Sequence, residues 1–211
     1  MIYLIGGPPK CGKTTLTKTL SKSLGLPWVS TDTLECIIRP YINEKDILGK
    51  FPTLGQRSAT NDEKFSKYSA KEIIDAYRQQ AKTSYQAIEM FAECEIVYGN
   101  DFIIEGYHIE PELAAKLIQK YPGKIKSIFL IKSDLEKFIE GIEKSTTPDD
   151  WILGRTHSKE TYRSIANMIC TYGNFFKEGV EKYKLAVLNM DENFDDKIKE
   201  AINILTTTQV R

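Results

Sequence analysis

The sequence predicts a three-layer α/β fold, with a five-stranded parallel sheet carrying helices on both faces. Two observations lead there. Five short apolar segments each run into sequence with helical periodicity, and such alternation builds parallel sheets by right-handed crossovers. The first of these strands ends in a glycine-rich turn that opens directly into a helix. The 211 residues suit one domain with a real core. A 41% hydrophobic and 27% charged composition excludes wholesale disorder.

The elements follow in order. Ile2–Ile5 is a short apolar strand. Lys13–Leu24 reads as a helix, with Leu16, Leu20 and Leu24 on one face and Gly25 as its stop. Pro27–Ser30 is a short strand, and Thr33–Ile38 begins a helix that Pro40 ends. Residues 43–69 are polar, with Gly49, Pro52 and Gly55, and read as a loop or small mobile segment. From Ala70 to Val97 the spacing of Ile74, Tyr77, Ala81, Tyr85, Ile88 and Phe91 predicts one long helix. Asp101–Ile104 is a buried strand, and Pro111–Tyr121 is a helix with proline in its first turn. Ile125–Ile131 is a strand, and Asp134 caps a helix through Glu143. Thr146–His157 reads as a loop. Helix Lys159–Tyr183, strand Leu185–Asn189 and helix Phe194–Leu205 complete the chain.

Gly7-Pro8-Pro9-Lys10-Cys11-Gly12-Lys13-Thr14 matches the phosphate-loop pattern GxxxxGK[ST], in the strand–loop–helix setting that the motif needs. Gly7 and Gly12 let the backbone curl with its N–H groups inward, and the helix N-terminus adds positive potential. Lys13 reaches the transferable phosphate, the Thr14 hydroxyl ligates Mg2+, and Thr15 adds a phosphate contact. The fold is thus expected to be a P-loop NTPase fold binding a nucleotide. Cys11 reads as a small filler within the loop.

The second strand ends in Ser30-Thr31-Asp32-Thr33. With its strand one over from the phosphate loop, Asp32 can take a proton from an attacking hydroxyl or hold a magnesium-bound water. The competing assignment is the N-cap of the Thr33–Ile38 helix. Arg39 lies seven residues on, two helical turns, and can bind an anionic group on an acceptor; otherwise it is a surface arginine.

Gly6-Gly7 through Thr15, Leu24-Gly25, Ser30-Thr31-Asp32-Thr33-Leu34 and Ile37-Ile38-Arg39 together resemble the small P-loop kinases, nearest to the 2-phosphoglycerate kinase-like group. Ile103-Ile104-Glu105-Gly106-Tyr107-His108-Ile109, followed by Pro111, is similar to that group's segment after the third strand. The resemblance implies a five-stranded nucleotide-kinase fold, Mg-ATP as donor, and a small phosphorylated or hydroxylated acceptor. Glu105 is then placed to hold a magnesium water or to orient Asp32, with a structural pair to a lysine as the alternative. His108 becomes an acceptor ligand. One departure stands out: Glu35 occupies a position that is basic in the family pattern, and it would repel a second anionic group.

Residues 146–163 lie where such kinases carry a lid. The segment contains Asp149, Asp150, Trp151, Arg155, His157 and Arg163. A lid arginine would neutralise charge on the transferred phosphoryl group, and closure would exclude water. Only six of the 29 cations are arginines, so two here draw the eye. Trp151 reads as a packing anchor. The chain 1–211 is therefore expected to be a single kinase domain, with 43–69 as a mobile acceptor-side segment. Lys13, Asp32 and Arg155 are the expected catalytic groups, and Arg39, His108 and Arg163 the acceptor ligands.

Composition narrows the classes. With 29 basic and 29 acidic residues there is no excess to grip a nucleic-acid backbone. No apolar run approaches a membrane span, and the N-terminus does not read as a signal peptide. Cys11, Cys36, Cys94 and Cys170 form no CxxC pair, so a reduced cytoplasmic protein is expected. A nucleoside or nucleotide kinase is the runner-up, ahead of a kinase acting on a sugar nucleotide. A P-loop switch or motor ATPase is a different class. Ile131-Lys132-Ser133-Asp134 lacks the guanine-reading asparagine of switches, and Ile103-Ile104-Glu105-Gly106 has one acid where motors have two. The sequence does not reveal oligomeric state.

Overall fold

The computed structural model describes residues 1–144 and 150–207. Its strands are β1 (Ile2–Gly6), β2 (Trp28–Ser30), β3 (Phe102–Glu105), β4 (Ile125–Ile131) and β5 (Ala186–Asn189). They form one parallel sheet in the order β2-β3-β1-β4-β5. The helices are α1 (Lys13–Leu24), α2 (Thr31–Ile38), α3 (Glu44–Lys50), α4 (Asn61–Lys67), α5 (Ala70–Tyr98), α6 (Pro111–Lys120), α7 (Leu135–Glu143), α8 (Lys159–Tyr183) and α9 (Phe194–Thr206). Helices α1 and α9 contact each other and cover one face, while α5, α6 and α8 cover the other. Ile2, Leu4, Ile5, Ile103, Ile104 and Ile128 to Leu130 are buried. A sheet covered on both faces requires such unbroken apolar strands. No described helix is long and apolar enough to cross a membrane.

Three expectations change. Residues 43–69 contain α3, a 3-10 turn at Pro52–Leu54 and α4, and Phe51 between them is fully buried. Seven-residue helices are too short to display a periodic apolar face, which hid them in the sequence. Helix α2 starts two residues early: Ser30, not Asp32, is its N-cap, its hydroxyl accepting the Asp32 N–H at 3.2 Å. Finally, β3 lies between β1 and β2, so Asp32 stands two strands from the phosphate loop rather than one.

The carboxyl end of the sheet is built tightly. Ile5, Glu105 and Ser30 lie in register across β1, β3 and β2. Gly7 has φ +131°, and a Cβ there would sit 2.0 Å from the Leu130 carbonyl oxygen. Gly106 has φ +152°, and a Cβ there would meet the Thr31 hydroxyl at 1.8 Å. That close approach brings α2 against the segment leaving β3.

Behind it lies a buried polar cluster. Glu35 is 2% exposed, and its carboxylate accepts from Arg39, from Gln80 on α5, from the Tyr107 hydroxyl at 3.3 Å and from His108 Nε2 at 2.8 Å. A carboxylate offers no proton, so His108 carries its hydrogen on Nε2. Its Nδ1 then accepts from the Thr31 hydroxyl at 2.8 Å. Thr53 donates to Gln80 Oε1, tying the turn after α3 to the same cluster.

Two expectations follow. Gly106→Ala should destabilise the protein by about 2–4 kcal/mol, from backbone strain plus collision with Thr31, read as a lower urea midpoint at unchanged slope. Burial, opposed by the Asp32 charge, pulls the His108 pKa down to about 4. The unfolded imidazole titrates near 6.5, so this contribution is intact above pH 6.5 and is lost as pH falls toward 4. Between pH 7 and 5 it removes about 2 kcal/mol. His108→Gln keeps a donor for Glu35 without titrating. Urea unfolding at the two pH values should show a correspondingly smaller acid loss in that variant, and equal losses would refute the assignment.

Candidate functional site

The phosphate loop leaves β1 and enters α1. Gly12 is the left-handed N-cap of α1 and supplies no side-chain cap, so side chains do not consume the first helical N–H groups. Lys13 is buried, and its ammonium donates to the Pro8 carbonyl at 2.7 Å, which draws the side chain back across the loop. Thr14 and Thr15 are exposed at its mouth, Pro8 is buried and Pro9 half-buried. The Thr14 hydroxyl donates to Glu105 Oε1 at 3.1 Å. Burial raises the Glu105 pKa, and Lys13 and the Thr14 hydrogen bond oppose it. A hydroxyl and a carboxylate in contact beside a buried lysine form a donor set suited to a hard divalent cation and a polyphosphate. Cys11 is fully buried and its thiol is pushed up to about 12, chiefly by burial, which fits a filler.

A cavity of about 590 Å³ opens at this loop. Gly12, Lys13 and Thr14 line one side, and Lys132, Met190 and Phe194 line the other. Its size suits a nucleotide. The residues after β4 and β5 were not picked out in the sequence. Only the strand order, which puts β4 beside β1 and β5 beyond it, brings Lys132 and Met190 there.

The expected acceptor side is arranged differently from expectation. Asp32 is exposed, with 68% of its side chain accessible, and its Oδ1 lies 3.7 Å from the unprotonated His108 Nδ1. Arg39 and His108 do converge, but on Glu35. Arg39 pairs with Glu35 one turn back, and His108 is fully buried with both ring nitrogens engaged. His108 is thus turned inward, while the Arg39 Nε is buried without a partner among the described residues. Glu35 is correspondingly neutralised by its donors and does not act as a repelling charge. Oxygen or nitrogen atoms of Asp32, Glu35 and His108 lie within 4.8 Å of one another. The cluster is nevertheless a poor cation site, because Glu35 already accepts from four donors and the two ring nitrogens face different partners.

The segments expected to be lid and acceptor side are joined by hydrogen bonds. The Asn61 amide donates to the Trp151 carbonyl and the Thr156 hydroxyl, both at 2.9 Å. Asp62 accepts from the backbone N–H groups of His157 at 2.9 Å and Ser158 at 3.0 Å. Arg155 donates to the carbonyls of Ser58 and Ala59. Arg163 pairs with Glu136 on α7 at 2.8 Å, both side chains well exposed. Trp151 packs against the core as an anchor would. Lys10 reaches 140 residues along the chain to Asp150, at 2.6 Å, and so joins the phosphate loop to this unit. Asp149 and the start of the expected lid, 146–149, lie outside the described residues.

No family model matches the chain. It is 28% identical over 144 residues to an uncharacterised protein of Dictyostelium discoideum, a match that takes in 62% of this chain and only 16% of that protein's length. Among solved structures, a gluconokinase from Sinorhizobium meliloti 1021 superposes with TM-score 0.56 at 12% identity, covering 96% of this chain and 90% of the other. A sugar kinase from Janibacter sp. HTCC2649 gives 0.54 at 12% identity, over 97% and 93%. A shikimate kinase from Acinetobacter baumannii in complex with shikimate gives 0.50 at 11% identity, over 100% and 94%. At these identities the likeness concerns the fold: this chain has the three-layer architecture of small P-loop kinases.

Proposed function

We propose that the protein is a small-molecule kinase that transfers the terminal phosphoryl group of Mg-ATP to a hydroxyl of a small anionic acceptor. The observation that carries this reading is the phosphate loop at Gly7–Thr14, with Thr14 hydrogen-bonded to Glu105 and an exposed Asp32 at the same end of the sheet. Loop N–H groups and Lys13 would cradle the β- and γ-phosphates, while Thr14 and Glu105 would hold Mg2+, directly or through water. The cation's part is to neutralise charge on the phosphates. Asp32 would take the proton of the attacking hydroxyl. Residues 150–163, with 43–69 joined to them, would cover the reacting groups and exclude water. On this reading 1–211 is one catalytic domain. The resemblance to 2-phosphoglycerate kinase-like sequences makes phosphoglycerate a natural first acceptor to assay.

Lys13→Ala should weaken Mg-ATP binding and abolish most turnover, measured by calorimetry and ADP release. Equal affinity and rate in the two proteins would overturn the assignment. Asp32→Asn should lower turnover about 10²–10⁴-fold while leaving ATP affinity within a few-fold. Normal turnover in that variant would confine Asp32 to a structural part in the first turn of α2.

A further inference from the structure

Arg155, the cation expected to face the transferred phosphoryl group, is held on the Ser58 and Ala59 carbonyls and is not among the residues that line the cavity at the phosphate loop. Other cations stand there instead. Two acids also line the cavity, and both are engaged. Asp191 accepts from the Ser133 N–H at 3.0 Å, the Ser133 hydroxyl at 2.9 Å and the Asp134 N–H at 3.1 Å. Glu192 pairs with Lys137. Lys10 is paired with Asp150, and Lys13 donates to a neutral carbonyl. Lys132 lines the same cavity, and among the described residues its ammonium has no hydrogen bond and no ion pair. Lys144 shares that lack but is exposed at the end of α7.

Several contacts fix where Lys132 points. Its backbone is clamped: a Cβ on Gly173 of α8 would sit 2.6 Å from the Lys132 carbonyl oxygen, and the next N–H is held by Asp191. Its ammonium lies 5.2 Å from the centroid of the Phe138 ring on α7. It is also 3.5 Å from where a Cβ on Gly141 would stand. The stem therefore runs along α7. Leu130, two residues earlier, presents its carbonyl to Gly7 of the phosphate loop. Two strand residues rise about 7 Å, so Lys132 leaves the end of β4 close beside the loop. The result is a half-buried ammonium on one wall of the cavity, with Gly12, Lys13 and Thr14 on the other.

A partly desolvated ammonium without an acceptor is unfavourable, and a polyphosphate between the two walls would supply one. We propose that Lys132 is a ligand of the donor's polyphosphate, held from the side opposite Lys13. The proposal rests on the kinase reading above and adds a residue to its donor site. Two lysines on facing walls would bracket the phosphate chain, so its charge is met without an arginine from residues 150–163. A lysine suits the place, because a compact point charge needs no planar partner. No carboxylate has to be displaced from it, since its neighbours on α7 are an aromatic ring and a bare glycine.

The test uses the full chain and two probes, Mg-ADP and inorganic tripolyphosphate with Mg2+, the second carrying phosphates and no base. Both are titrated by calorimetry, and saturable binding of each is expected. Lys132→Met keeps the stem against Phe138 and removes the charge. It should weaken both probes about tenfold or more, the cost of a lost charge-assisted contact. Lys132→Gln should do the same, and Lys132→Arg should restore most of the affinity. Lys116→Gln, on α6 where the lysine pairs with Glu89, should change nothing. Tripolyphosphate affinity equal in wild type and Lys132→Met would overturn the proposal. So would a loss confined to Mg-ADP, which would set the lysine against the nucleoside. If tripolyphosphate binds and Mg-ADP does not, the kinase reading fails, and the Lys132 comparison on tripolyphosphate still decides. If neither binds the wild type, both fail.

Discussion

A carboxylate enclosed in protein must be surrounded by donors or it will not stay charged, and Glu35 is such a group. Its donors arrive from the turn just after α2, from α5 and from the segment after β3, so satisfying one side chain fixes three separate parts of the chain. The position of Asp32 follows from that, because it shares the first turn of α2 with the threonine that His108 holds. Removing Glu35 alone would leave an arginine, an imidazole N–H and an amide without their acceptor, a larger penalty than the pairings themselves are worth.

Much of the scaffold was legible in the sequence because its determinants are local. An apolar strand running into Gly7 and the spacing of Gly12, Lys13 and Thr14 define the loop without any knowledge of distant residues. The bounds of α1, β4 and α8 followed from periodicity and caps. The unreadable parts depend on long-range pairing. Strand order decides that Glu105, not Asp32, is the acid beside the loop, and no local pattern encodes that order. Glu35 registered only as a departure from a family pattern. Its meaning lay in Gln80, 45 residues away, and His108, 73 residues away.

The acceptor-side segment shows the same division. Its turn residues suggested a loop, yet Asn61 and Asp62 are fixed by groups 90 to 96 residues further on. Short helices of this kind are held by such contacts rather than by intrinsic propensity. Lys10 is a further case. Its φ of +63° is one that glycine adopts freely and lysine does not, and the side chain it places there is the one that reaches Asp150. The segment 150–158 thereby gains a fixed attachment at the loop after β1 as well as along 58–62.

Between Glu105 and His108 the chain passes from one neighbourhood to the other in four residues. Glu105 touches Thr14 of the phosphate loop, and His108 touches Thr31 beside Asp32. Neighbouring strands are only about 4.8 Å apart, so β3 is a party wall between two rooms. Exposed positions on α3 and α4 are free to vary without disturbing either room. The wall is not, since any substitution that shifts it disturbs both rooms together. Diversification of such a protein is channelled to one side of the sheet, and the segment Glu105-Gly106-Tyr107-His108 is where it meets resistance.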